Sequence, residues 1–370
     1  MAKKPLKGNY LTLEDVRISY DKKTGSIHLT SKDKDLPDGG FHLTLNKGRE
    51  AEQALRSLLI NAGMAEGKIE DTIPKLLPFS AKEQANGITL GQGASGRWIR
   101  WSPEHSAHMF VSGGTGRGKS VFLRNLIYSG IVHNGLHELG ATTDPVWEFY
   151  VADAKMLGFP EMNGYKGDLA THTKDHSAIK TLAFNYDDIE AMIHECYDEM
   201  NHRYDVMEGQ GVSNNSKLEK PFPRRIIIID EAASLFSNQG QDMDEAERGR
   251  HEELLSLIFH LSRLSRAAGI HLVMASQDPG FLFGEFKDNF GTKIAVGKHT
   301  KQGSFSLLRN NEASLINGDI RGRCFIDNES YQEEFQMFLS SEKDAQNIKA
   351  IFAVVKDMEA KNNKLKKEGR

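Results

Sequence analysis

Residues 113–120 read GGTGRGKS and stand between two apolar runs, MFV before and VFLRNLI after. The segment satisfies GxxxxGK[ST], which demands a buried strand, a tight glycine turn and a helix in immediate succession. The glycines at 113, 114, 116 and 118 give the backbone access to positive φ, so that consecutive N–H groups turn inward on phosphate oxygens. A helix starting near Lys119 adds its positive end. The expected phosphate-gripping set is Gly113, Gly114, Thr115, Gly116, Arg117, Gly118, Lys119, Ser120 and Val121. Within it Lys119 reaches the β- and γ-phosphates of a nucleotide, and Ser120 ligates Mg²⁺. The competing explanation is a chance glycine turn, which the strand before and the helix after make a poor one.

The flanking pattern predicts an α/β architecture with a mainly parallel sheet between helices. EFYVAD, RRIIIIDE, IHLVMASQ and TKIAVGK are short apolar runs, each bounded by turn signals. Helical periodicity lies between them. In DDIEAMIHECYDEMNHRYDVM, Ile189, Met192, Ile193, Cys196, Met200, Tyr204 and Met207 recur at three- and four-residue steps. LLSLIFHLSRLSR predicts a second helix and ITLGQGASGRWIRW a hairpin leading into the strand before the glycine loop. Strands alternating with helices make a parallel sheet covered on both sides. Ahead of this region VRISY, SIHLT and FHLTL alternate apolar and polar residues, and a helix is expected at about 49–62. The expected division is a small α+β domain over 1–80, a nucleotide-driven domain over 81–345, and a last helix with a basic tail over 346–370.

A glycine loop alone does not imply hydrolysis. IIIIDE at 226–231 adds two adjacent carboxylates at the tip of a buried strand. Asp230 suits the magnesium water shell. Glu231 suits proton removal from an attacking water; the alternative is that it simply caps the next helix. IHLVMASQ ends in Gln277, an amide placed either to sense a γ-phosphate or merely to end a strand. Arg263 and Arg266 are expected at the end of the helix before that strand. There they are either solvated cations favoured by the helix dipole or groups facing a neighbouring subunit. Beyond Gln277, residues 287–309 carry Lys287, Lys293, Lys298, Lys301 and Arg309 against Asp288 alone, with Phe290 and Phe305 interleaved. This suits a DNA-gripping surface or a solvated loop, with both phenylalanines expected in the core.

Bulk properties narrow the class. A net charge of −4 argues against a nucleic-acid coat held by bulk charge but leaves room for a local basic surface. Two distant cysteines, Cys196 and Cys324, form no CxxC, and His105 and His108 lack a third ligand at metal-like spacing. A structural metal is not expected. No run approaches the ~20 apolar residues of a membrane helix, and MAKKPLKGNY lacks the apolar core of a signal peptide. A cytoplasmic location without direct membrane insertion is the expectation.

The order of VSGGTGRGKSVFLRNLI, VADAKMLGF, EMNHRYDVMEGQGV, IIIIDEAASLF, SRAAGIHLVMASQDP and LINGDIRGRCFI resembles the motor domain of the FtsK/SpoIIIE family of DNA translocases. LGQGASGRWIRW also looks like that family's lead-in to the glycine loop, and the likeness covers about residues 88–345. The resemblance implies a RecA-like ATPase that uses ATP and Mg²⁺ and assembles as a hexameric ring around double-stranded DNA. It implies Lys119 and Ser120 for nucleotide and metal, Asp230 and Glu231 for hydrolysis, Gln277 as sensor, and Arg266 acting in trans. The family's usual arginine after the sensor glutamine is Asp278 here. No membrane segments precede the motor, and the chain is too short after it for a winged-helix module. A compact translocase of a plasmid or other mobile element is therefore expected, with a membrane-bound transfer or segregation protein as a candidate partner. A protein-secretion motor with the same kind of ATPase domain is the alternative.

Overall fold

The computed structural model describes residues 16–21, 26–31, 41–45, 73–80, 83–84, 87–138, 142, 144–153, 178–237, 243–280 and 284–340. The expected helix at 49–62, the segment after Asp153 that contains DAKML, and the helix and basic tail over 346–370 lie outside the described residues. The chain divides into two units, Met1–Asp71 and Thr72–Arg370.

In the first unit the three alternating segments form β1 (Val16–Asp21), β2 (Ser26–Ser31) and β3 (Phe41–Leu45). They pair antiparallel in the order β1-β2-β3, with Val16 opposite Ser31 and Ile27 opposite Leu45.

The second unit is built on a ten-stranded sheet. Its strands are β4 (Ile88–Gly93), β5 (Trp98–Trp101), β6 (Met109–Ser112), β7 (Trp147–Asp153), β8 (Ile179–Ala183), β9 (Arg224–Asp230), β10 (Ile270–Ser276), β11 (Thr292–Val296), β12 (Arg323–Asn328) and β13 (Tyr331–Met337). The order across the sheet is β5-β4-β13-β12-β11-β6-β10-β9-β7-β8. The six strands from β11 to β8 are parallel. The four from β12 to β5 are antiparallel extensions. The ITLGQGASGRWIRW hairpin is β4 and β5, and it borders β13, not the parallel strands.

The helices are α1 (Lys119–Glu138), α2 (Tyr186–Gly209), α3 (Ala232–Ser237), α4 (Glu245–Leu264), α5 (Gly284–Asp288) and α6 (Lys301–Leu308). Helix α4 starts nine residues before LLSLIFHLSRLSR, at a capping box in which Asp244 and Glu247 exchange side-chain and backbone bonds. It ends at Leu264, so Arg266 stands in the turn beyond it.

The isoleucine run of β9 explains the layers. Side chains alternate across a strand. Ile226 and Ile228 face a core with Phe122, Leu126 and Ile127 of α1. Ile227 and Ile229 face the opposite core, with Met192 and Cys196 of α2 and Leu254 and Ile258 of α4. All four isoleucines are essentially unexposed. Each contributes roughly 1.5–3 kcal/mol by burial, and together they pin the strand that ends in Asp230. On α2 the apolar stripe is buried as the periodicity predicts, except that Arg203 is buried and Tyr204 only half-buried. Arg203 pairs with Glu199 and donates to Pro223 O and Ala268 O, so its charge ties α2 to the starts of β9 and β10.

Candidate functional site

Parallel strands end on one edge of the sheet, and three of those ends meet around the glycine loop. β6 leads into the loop, β10 lies beside it, and β9 lies beyond β10. Gly113 N donates to Ser276 O, tying the loop to the tip of β10. Only Gly116 and Gly118 have positive φ, at 73° and 104°. Gly113 matters for another reason, since a Cβ there would stand 3.0 Å from Val296 O.

Lys119, the first residue of α1, is buried and points at the strand acids. Its Nζ is paired with Asp230 Oδ1 and lies 3.5 Å from Glu231 Oε2. A phosphate gripped by Lys119 must compete with these two carboxylates. Ser120 follows on the same turn of helix, half-buried, with Val121 beside it. Ser120 and Asp230 offer a hydroxyl and a carboxylate. Among the described residues no group of three or more His, Cys, Asp or Glu forms a metal cage. That donor set fits Mg²⁺, which keeps waters and takes substrate phosphate oxygens to complete its octahedron.

Glu231 leaves the strand in the left-handed region, at φ 63°. For a residue with a Cβ that conformation costs on the order of 1–3 kcal/mol, and it turns the carboxylate toward β10. Ser234 N and Oγ both bond to Glu231 O and hold the turn. Glu231 Oε1 accepts from Gln277 N at 3.1 Å and Ser276 Oγ at 3.2 Å, and Oε2 accepts from Gln277 Nε2 at 2.8 Å. Gln277 Oε1 in turn accepts from Thr115 Oγ1 at 2.7 Å. Asp278 turns in on its own loop, where its N donates to Ser276 Oγ and its Oδ1 accepts from Gly280 N.

Lys119, Asp230, Glu231, Gln277 and Thr115 thus form one connected cluster. Thr115 stands out by its place in the glycine loop, but its hydroxyl's bond to Gln277 has no signal in the sequence. Ser276 carries no sequence signal of its own. It is the last residue of β10, beside Gln277, and position alone was its only clue.

Arg266 is elsewhere. β10 is seven residues long, about 20 Å at the usual rise of a strand, and Arg266 precedes its start. Its Nη2 donates to Glu104 O at 2.6 Å. With Glu104, Tyr204, Arg224, Arg263 and His271 it lines an open cleft of about 650 Å³ on the edge opposite the glycine loop.

The expected basic surface is divided in the same way. Lys298 and Lys301 are exposed just after β11, on the glycine-loop edge. Lys298 packs against Gly318, whose O accepts from Arg117 Nη1 at 3.4 Å. Lys287 and Arg309 stand at the far ends of their elements. Lys287 Nζ donates to Ser306 O near the end of α6, and Arg309 pairs with Asp288 at 2.7 Å. Burial, helped by the charges of Lys293 and Arg309, pulls the Lys287 ammonium below the usual lysine range. Lys287 is therefore a structural cap, which corrects its place in a single DNA surface. Phe290 is fully buried as expected, whereas Phe305 is 60% exposed on α6.

Residues 75–259 match the model of the FtsK/SpoIIIE family. A DNA translocase FtsK of Leptospira interrogans is 28% identical over 242 residues, covering 62% of this chain and 23% of that protein. One from Listeria monocytogenes is 24% identical over 317 residues, covering 81% of this chain and 38% of that protein. The chain thus spans well under half the length of these curated relatives. Among solved structures, the pCW3 conjugation coupling protein TcpA, in its monomer form with ATPγS, aligns with a TM-score of 0.63 at 21% identity over 92% of both chains. ATPases 2 and 3 of EssC from Geobacillus thermodenitrificans align with a TM-score of 0.55 at 18% identity, over 78% of this chain and 52% of that one.

Proposed function

Because the chain belongs to the FtsK/SpoIIIE family and folds as a P-loop ATPase, we propose that it is an ATP-driven translocase of double-stranded DNA that works as a ring, with six subunits. The observation that carries the reading is the convergence of Lys119, Asp230, Glu231 and Gln277 on one strand edge. Lys119 holds the phosphates, while Ser120 and Asp230 hold Mg²⁺, which neutralises phosphate charge when bound. Glu231 takes the proton of a water attacking the γ-phosphorus as the bond to the β-phosphate oxygen breaks, releasing ADP and phosphate. Gln277 ties that carboxylate to the glycine loop and to the segment after β10. Lys298 and Lys301 supply part of the DNA surface.

Arg266 lies a strand's length from its own glycine loop. In a head-to-tail ring it reaches the phosphates held by the adjacent subunit. The TcpA likeness over nearly the whole of both chains supports a role in conjugative or other plasmid DNA transfer, with a membrane-bound partner anchoring the motor at the cytoplasmic side. Among the described residues no helix is long and apolar enough to cross a membrane.

Hydrolysis of ATP measured with and without duplex DNA tests this directly. Stimulation by duplex is expected. The EssC likeness supports a second reading, a protein-secretion motor. That reading predicts no response to DNA at low or physiological salt.

A further inference from the structure

The cluster contains a group whose chemistry the hydrolytic reading leaves unused, the hydroxyl of Thr115. We propose that Thr115 is a positioning residue for the catalytic base, acting through Gln277; the proposal rests on Glu231 being that base.

An ionised carboxylate only accepts, whereas an amide has one donating and one accepting end. Gln277 Nε2 lies 2.8 Å from Glu231 Oε2, so the amide nitrogen must face the carboxylate. The opposite orientation would set a carbonyl oxygen against an anion. The carbonyl end, Oε1, then faces Thr115 Oγ1 at 2.7 Å, and the hydroxyl must donate to it. The chain therefore has one polarity, Thr115 to Gln277 to Glu231.

The three residues come from three separate segments: the glycine loop, the end of β10 and the end of β9. Without Thr115, the exposed Gln277 side chain keeps its bond to Glu231 but regains rotamer freedom about it. Glu231 Oε1 stays held by Gln277 N and Ser276 Oγ. Oε2 accepts from the Gln277 side chain and lies 3.5 Å from Lys119 Nζ, so the amide is one of the groups that set its direction. Thr115 thus aims one oxygen of the base from within the loop that grips the phosphates. The exposed position keeps packing out of the argument. The loop's backbone N–H groups survive any substitution of the Thr115 side chain, so the grip on phosphate and the aim of the base are separable.

The test compares Thr115→Val, Thr115→Ser, Gln277→Ala, the Thr115→Val/Gln277→Ala double variant and Glu231→Gln, all in the full chain. ATP turnover gives kcat and KM, and ATPγS titration gives nucleotide affinity. Thr115→Val is expected to lower kcat about tenfold while ATPγS affinity changes less than about threefold. Thr115→Ser restores kcat. The double variant turns over no more slowly than Gln277→Ala alone, because the two act in series. The proposal is overturned if Thr115→Val weakens ATPγS binding as much as it lowers kcat/KM, if serine fails to restore turnover, or if the two losses multiply. Native turnover in Glu231→Gln is a different failure: it removes the base itself, and the proposal with it.

Discussion

The two ends of the six parallel strands are built from similar residues and do different work. At the glycine-loop end the cluster of Lys119, Asp230, Glu231, Gln277 and Thr115 is tied together by bonds that cross between segments. At the other end, Arg203, Arg224 and Arg225 are buried and committed. Arg203 holds backbone carbonyls, Arg224 pairs with Glu104 over the Trp147 ring, and Arg225 lies over Tyr150 with Glu148, Glu195 and Glu199 nearby. Burial pushes the Cys196 thiol beside Arg225 up to about 12 and drives His108 down to about 3. Those charges tie the strand starts to the helices. Exposed Arg263 and Arg266 stand apart, on the open cleft. The strand ends gather polar groups beside the start of α1, whereas the strand starts gather charges committed to the packing of helices.

The sharpest contrast comes from substituting the glycine-loop end. Lys119→Ala is expected to weaken ATP binding and abolish turnover. Glu231→Gln keeps ATP bound but slows turnover on the order of 10²–10⁴-fold. Nucleotide titration and steady-state hydrolysis separate the two, and native turnover in Glu231→Gln would remove its assignment.

The structural end should show itself in acid. His108 Nδ1 accepts from Leu272 N at 2.9 Å, so the folded state holds this imidazole neutral. Burial and then the Arg266 charge lower His108 from 6.5 to about 3, and burial, with help from His108, also lowers His271. Between pH 6.5 and about 3 His108 binds a proton in the unfolded chain and not in the folded one. Stability therefore falls as pH drops below about 6.5, by up to about 1.4 kcal/mol per pH unit for His108. Urea titrations at pH 7 and pH 5 measure the slope. His108→Asn, which keeps an acceptor near Leu272 N, should flatten it. An unchanged slope would place the acid sensitivity elsewhere.

The smallest effect divides the lysines. Reversing Lys298 and Lys301 to Glu is expected to weaken duplex binding about tenfold at low salt, with a shallower salt dependence. Lys287→Met at the opposite end leaves it unchanged, and equal losses in both would erase the division.

Much of the glycine-loop end was legible in the sequence because local chemistry dictates it. GxxxxGKS requires its strand, loop and helix, and four isoleucines before Asp230 allow little except a central strand. The antiparallel strands β12 and β13 were not legible. RCFIDN mixes charge with apolar residues, and YQEEFQM is polar through its first half, so neither has the continuous apolar run of the parallel strands. β8 is short and partly exposed, and was missed for the same reason. The basic stretch failed differently. Counting charges over 287–309 cannot tell that α6 runs from one sheet edge toward the other and carries Lys301 and Arg309 apart. Nor does a spacing rule foresee Arg203 inside an apolar stripe. Its partners, Pro223 O and Ala268 O, are far away in sequence.

The central claim is that the two ends of the sheet complete each other only between subunits. Mixing Arg266→Ala with Lys119→Ala protein measures this, because each supplies what the other lacks. With mixed assemblies confirmed by mass, hydrolysis is expected to return, since some interfaces pair an intact glycine loop with an intact Arg266. If Arg266 acts within its own subunit, every site stays inactive at every mixing ratio, and that result would contradict the account.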